Sequence, residues 1–133
     1  MGATENKELL RDAFTEAAKG NARPFIELLA DDVRWTIIGT TAWSRTYEGK
    51  QSVLDDLLRP LSKQLHGRNI IAANRFIAED DHVVVEARGR NSTVAGVRYH
   101  NQYCFVFRLA DGRVRELTEY SDTQLIASAL QAP

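Results

Sequence analysis

The chain has 133 residues, 44% of them apolar and 26% charged, with a net charge of −1. That profile fits one ordinary globular domain with a real core, and offers no electrostatic reason to expect nucleic acid or an anionic membrane as a partner. Cys104 is the single cysteine, which excludes an intrachain disulfide and a thiolate metal cluster.

The N-terminus, MGATENKELL, lacks a basic stretch followed by an apolar run, and no segment is long and apolar enough to span a bilayer. The expected location is cytoplasmic. From Glu5 to about Lys19, Leu9, Leu10, Ala13, Phe14, Ala17 and Ala18 recur at helical spacing. Gly20-Asn21 stops that helix, and Pro24 falls in the first turn of a second, short one, where its missing N–H costs little. Val33, Trp35 and Ile37 alternate with Arg34 and Thr36, predicting a first strand up to Gly39. A loop carries Trp43 and Tyr47. A third helix is predicted from Lys50 to Leu65, kinked or divided by Pro60.

Ile70–Ala78 and His82–Arg90 read as strands joined by an acidic turn, and Asn91–Gly96 as a polar loop. The stretch from Val97 to Asp122 then reads as a long hairpin closed by Asp111-Gly112, a pair suited to the positive φ of a primed turn. On its first strand Tyr99, Asn101, Tyr103, Phe105, Phe107 and Leu109 share one face. Thr123–Leu130 adds at most a helical turn. Helices, a strand, a helix and then a four-strand meander make an α+β fold, with helices on one face of a curved antiparallel sheet.

Order and spacing then suggest a family. GNARPFIELLADDVRWTIIG, YEGKQSV and FRLADGRVRELTEYSDT resemble the SnoaL-like polyketide cyclase and ketosteroid-isomerase-related group of the nuclear transport factor 2-like superfamily. The likeness covers nearly the whole chain, read as one domain over residues 1–133. It implies a cone-shaped, cystatin-like half-barrel in which three N-terminal helices and a curved mixed or antiparallel sheet enclose one apolar pocket. It also implies a homodimer through the outer sheet face. Members range from isomerases, cyclases and hydrolases to binding domains, so function has to be argued from the site.

Comparison by residue disfavours two chemistries. The ketosteroid isomerase pattern, a base carboxylate with a tyrosine and a protonated acid, would place its tyrosine at Ala13 and its base at Ile37 or Ile38. Its third acid would lie near Asn101 or Tyr103. The limonene-epoxide hydrolase triad would match Asp122 but put its other members on Ala87 and Gly89, or on Arg88 and Arg90. Its water-holding pair would fall on Trp35 and Ile37.

The predicted catalytic set is Asp122, to move a proton, with Tyr103 and Asn101 to hold an oxygen. Trp35, Ile37, Trp43, Tyr47, Tyr99, Phe105, Glu119 and Tyr120 are predicted to line the pocket. Glu119 and Tyr120 lie on opposite faces of one strand. If Leu117 faces inward, Glu119 follows it; if Tyr120 faces inward, Asp122 accompanies it. No histidine pair has metal-ligand spacing on one element and no phosphate loop occurs, so neither metal nor cofactor is expected. The expected ligand is a small hydrophobic molecule. Three readings stand at this point: a cofactor-independent isomerase, cyclase or hydrolase, a non-catalytic binding module, and a dimeric interaction domain.

Overall fold

In the computed structural model, which describes residues 1–133, two helices precede the sheet, α1 (Ala3–Ala17) and α2 (Arg23–Leu28). Gly20 turns the chain between them at φ 82°, a conformation without steric cost for glycine. The face of α1 carrying Leu10, Ala13 and Phe14 is buried, and the helix packs on the sheet. Phe14 meets Phe25, Phe76 and Phe107 edge-on, at centroid distances of 5.8, 6.0 and 6.1 Å. These aromatic edges join two helices to two strands, and such pairs add to the burial of their area.

The strands are β1 (Leu29–Ile37), β2 (Thr46–Glu48), β3 (Ile71–Glu79), β4 (His82–Gly89), β5 (Asn91–Ser92), β6 (Arg98–Tyr99), β7 (Gln102–Ala110) and β8 (Arg113–Ser121). Six form one sheet in the order β2-β1-β8-β7-β4-β3, while β5 and β6 pair separately. The meander β3-β4-β7-β8 is antiparallel, as expected, and β1 joins it parallel to β8. The sheet is therefore mixed, and curved without closing into a full barrel. No helix is long and apolar enough to cross a membrane.

Three breaks in regular structure shape the site, the first of them expected at Pro60. The helix predicted over Lys50–Leu65 is three pieces: α3 (Lys50–Ser52), a π-helical segment (Val53–Leu58) and α4 (Arg59–Gln64). The Arg59 N–H reaches back to Leu54 O, five residues away. Widening the turn just before Pro60 avoids the clash of its ring with an α-helical carbonyl.

The predicted long strand from Val97 is broken at His100-Asn101. Its first part, β6, leaves the sheet to pair with β5 inside what reads as a polar loop. The third break is a bulge in β8. Arg108 pairs with Glu116, but Leu109 pairs with Val114, so Arg115 is the extra residue. That one residue decides which later side chains face the core. Asp111 and Gly112 close the hairpin at φ 53° and 73°, the primed turn foreseen from the sequence. A final helix, α5 (Thr123–Ala129), follows β8, packs against β6 and buries Ile126.

Candidate functional site

Between the helices and the sheet lies a cavity of about 860 Å³ of space free of protein atoms, part of it open to solvent. Seventeen of its 19 lining residues are hydrophobic. Phe14 and Phe25 come from the first two helices, Leu57, Leu58 and Leu61 from the π-helical segment and α4, and Ile126 and Leu130 from the C-terminal end. Of the predicted wall, Trp35, Ile37, Trp43, Tyr99, Phe105 and Glu119 line it, joined by Tyr103 from the predicted catalytic set.

Because of the bulge at Arg115, Val114 and Leu117 are both buried although three residues apart, and Glu119 follows Leu117 inward. The open question of parity is thereby resolved for Glu119. Its side chain is 7% exposed, opposite Phe105 on β7 and Ile37 on β1. Trp35 Nε1 donates to Glu119 Oε1 at 3.3 Å, the one side-chain hydrogen bond the carboxyl group makes.

Burial without a cation pushes the Glu119 pKa up to about 7, against a smaller lowering by the Trp35 bond. Burial also raises both phenols, and the Glu119 charge adds to the effect on each. Tyr103, well above its ordinary value, stays protonated at neutral pH and stacks on Phe105 at 5.0 Å with an 11° interplanar angle. Tyr99 accepts a hydrogen bond from Asn101 Nδ2 at 3.1 Å, which leaves its own O–H free to donate. A carboxyl able to hold or release a proton near pH 7, beside phenolic donors in an apolar wall, can take a proton from carbon and stabilise the resulting oxyanion.

Four predicted residues lie elsewhere. The Asp122 side chain is exposed and accepts from Leu125 N at 3.1 Å, capping α5. Asp122 does not line the cavity. Asn101 is fully buried, but as a brace rather than in the wall. Its Oδ1 accepts from the N–H groups of Gln102 and Asp122 at 2.8 and 3.0 Å, and its Nδ2 also reaches Asp122 O at 3.4 Å. It therefore ties the break before β7 to the end of β8. Tyr47 is core, fully buried, with its hydroxyl donating to Trp43 O at 2.8 Å. Tyr120 points to the outer face and is 47% exposed.

Trp43, in the loop after β1, is 3% exposed and held through Nε1 to Gln131 O at 2.9 Å. Reading the sequence missed the helical contribution to the wall, because apolar residues at helical spacing look the same whether they meet side chains or a cavity. It also missed Asn69, a polar residue of the wall flanked by ordinary loop sequence.

The geometry agrees with what the chain is similar to. Crystal structures superpose over nearly its full length. An NTF2-like protein from Burkholderia thailandensis has TM-score 0.81 and 17% identity, covering 95% of this chain and 97% of the other. A protein assigned as a SnoaL-like polyketide cyclase, from a Jannaschia species, has TM-score 0.78 and 21% identity over 98% and 94%. One from Bacillus subtilis, assigned as an isomerase, has TM-score 0.79 and 20% identity over 97% and 95%. At such identities the likeness establishes the fold. No curated protein matches the chain in sequence. The SnoaL-like domain profile matches residues 10–117, and the chain belongs to the SnoaL-like domain family within the NTF2-like fold.

Proposed function

We propose that the protein is a cofactor-independent acid–base enzyme acting on a small, neutral, apolar carbonyl compound. Glu119, as carboxylate, takes a proton from the carbon beside the carbonyl, leaving an enolate whose oxygen accepts a hydrogen bond from Tyr103. The neutral Glu119 carboxyl then returns its proton to a conjugated carbon, giving an isomer, or to the same carbon, giving back the substrate with its proton exchanged. No redox partner or second substrate is needed. One observation carries this reading: a carboxyl group with pKa near 7, held by Trp35 alone in an apolar wall shared with Tyr103. A base titrating near the working pH combines availability with driving force.

The test is α-proton exchange of 2-tetralone in D₂O, followed by proton NMR. The wild-type protein is expected to accelerate exchange, Glu119→Gln to lose about 10²- to 10⁴-fold of that rate, and Tyr103→Phe to lose less. Equal rates for wild type and Glu119→Gln would sink the assignment. Saturable thermal stabilisation by the ketone without exchange would instead favour a binding module, a reading supported by how apolar the wall is. The same proposal includes a homodimer through the outer sheet face. There Ile77 and Tyr120 are exposed beside half-buried Val84, Cys104 and Val106, between the Arg75–Glu86 and Arg108–Glu116 ion pairs.

A further inference from the structure

A short chain of carboxamides at the cavity wall has a fixed direction. The backbone N–H of Ile70 can only donate, and it bonds the Oδ1 of Asn91 at 2.9 Å. The other end of that amide, Asn91 Nδ2, is therefore a donor. It reaches Ile70 O at 3.3 Å and Asn69 Oδ1 at 2.9 Å. Asn91 is 5% exposed, so this orientation is locked into the fold. With Asn69 Oδ1 engaged, the Asn69 NH₂ group makes no hydrogen bond within the protein and, on a half-buried residue, stays open to a ligand or to solvent.

Asn69 lines the same cavity as Glu119, and these two residues are the exceptions to an otherwise hydrophobic lining. They belong to different walls. Asn69 precedes β3 at one edge of the sheet, and Glu119 sits on β8, with β7 and β4 between them.

We propose that Asn69 is a ligand-anchoring residue whose oriented NH₂ group binds a carbonyl or ether oxygen at the far end of the apolar molecule that reacts at Glu119. This rests on the acid–base reading and narrows it. The ligand is elongated, with an oxygen acceptor at each end and no negative charge, since no cation lines the cavity. Asn91 is the positioning residue, because it decides which end of the Asn69 amide is offered.

Two fluorescent probes test this, 2-naphthol and 6-acetyl-2-naphthol, titrated into the full-length protein. Wild type is expected to bind the acetyl compound about threefold to tenfold more tightly, the value of one net hydrogen bond. Asn69→Leu, at a partly exposed position, should erase that advantage by weakening the acetyl probe alone. Asn91→Asp keeps the bond from Ile70 N–H but replaces the donor facing Asn69 with an acceptor. The Asn69 amide then turns over, and the acetyl advantage should vanish while 2-naphthol binds as before. A merely structural role would instead weaken both probes together.

Equal weakening of both probes by Asn69→Leu, or no change in either, overturns the anchoring role. Wild-type binding of 2-naphthol with no acetyl advantage overturns it while sparing the cavity reading. No saturable binding of either probe overturns both.

Discussion

The end of β8 and the helix cap that follows it hold two carboxylates three residues apart, in opposite surroundings. Glu119 lies in an apolar wall with a tryptophan N–H as its partner. Asp122 lies in solvent and serves the first turn of α5. An alternating strand of β8's length read straight through from Val114 would put Glu116, Thr118 and Tyr120 on the core side. The extra residue at Arg115 puts Leu117 and Glu119 there instead. Which acid becomes chemically unusual is decided by a bulge, not by which one stands nearest the end of the sheet.

The largest effect expected from this contrast is in the pH dependence of stability. Glu119 has its ordinary value of 4.5 when unfolded and about 7 when folded, so between those limits the folded state binds the proton more tightly. Stability from this group is therefore fully present below pH 4.5, falls as pH rises to 7, and is level above. The shift of about 2.5 units, at about 1.4 kcal/mol per unit, makes the loss roughly 3 kcal/mol. Glu119→Gln keeps an acceptor for Trp35 and removes the ionisation. It should match wild type in denaturant titrations at pH 4.5 and exceed it by up to that amount at pH 8. Parallel pH profiles for the two proteins would show that Glu119 does not titrate in the window.

Next comes the brace between the two acids. Asn101→Leu leaves the N–H groups of Gln102 and Asp122 without their shared acceptor, and the Tyr99 hydroxyl without a donor. A loss of about 2 kcal/mol is expected, since stranding buried donors costs more than a hydrogen bond gains. Hydrogen exchange should show the loss concentrated at the start of β7 and at α5. A loss spread evenly over the sheet would mean that the brace is not local.

Asp122→Ala should cost about 1 kcal/mol, as for other lost N-caps. Asp122→Asn should cost little, since Asn also caps well. Neither substitution should change tetralone exchange or its pH profile. A Glu119-sized loss of exchange in Asp122→Asn would return the proton to Asp122 and reverse the comparison.

How far the sequence could have led follows from the same residues. The meander, the primed turn at Asp111-Gly112 and the break near Pro60 are local rules, and each was legible. So was the aromatic face with Tyr103 and Phe105, because period-two alternation holds through β7. Its failure in β8 comes from one unpaired residue whose bulge leaves no signature in composition. The break at Asn101 hides for a different reason. A polar residue in an aromatic strand suggests a ligand contact as readily as a brace, and only its four side-chain hydrogen bonds tell them apart. Asn69 is less legible still, since its meaning depends on Asn91, 22 residues away.

The smallest expected effect is at Tyr120, Glu119's neighbour on the opposite face. Side chains alternate across the strand, so a single step moves from the most enclosed carboxyl group of the sheet to a ring 47% exposed. Tyr120→Lys should change the stability of an isolated chain by no more than about 0.5 kcal/mol, the usual range for surface substitutions. Tetralone exchange should be unchanged. A second copy seated on this face would make wild-type melting temperature rise with protein concentration, and Tyr120→Lys should flatten that rise by placing a charge in the contact. A wild-type melting temperature independent of concentration, with a monomer mass by sedimentation, would leave the outer face as plain solvent-facing sheet. The contrast between the two sides of β8 would then be between a cavity and water, with no partner needed to explain it.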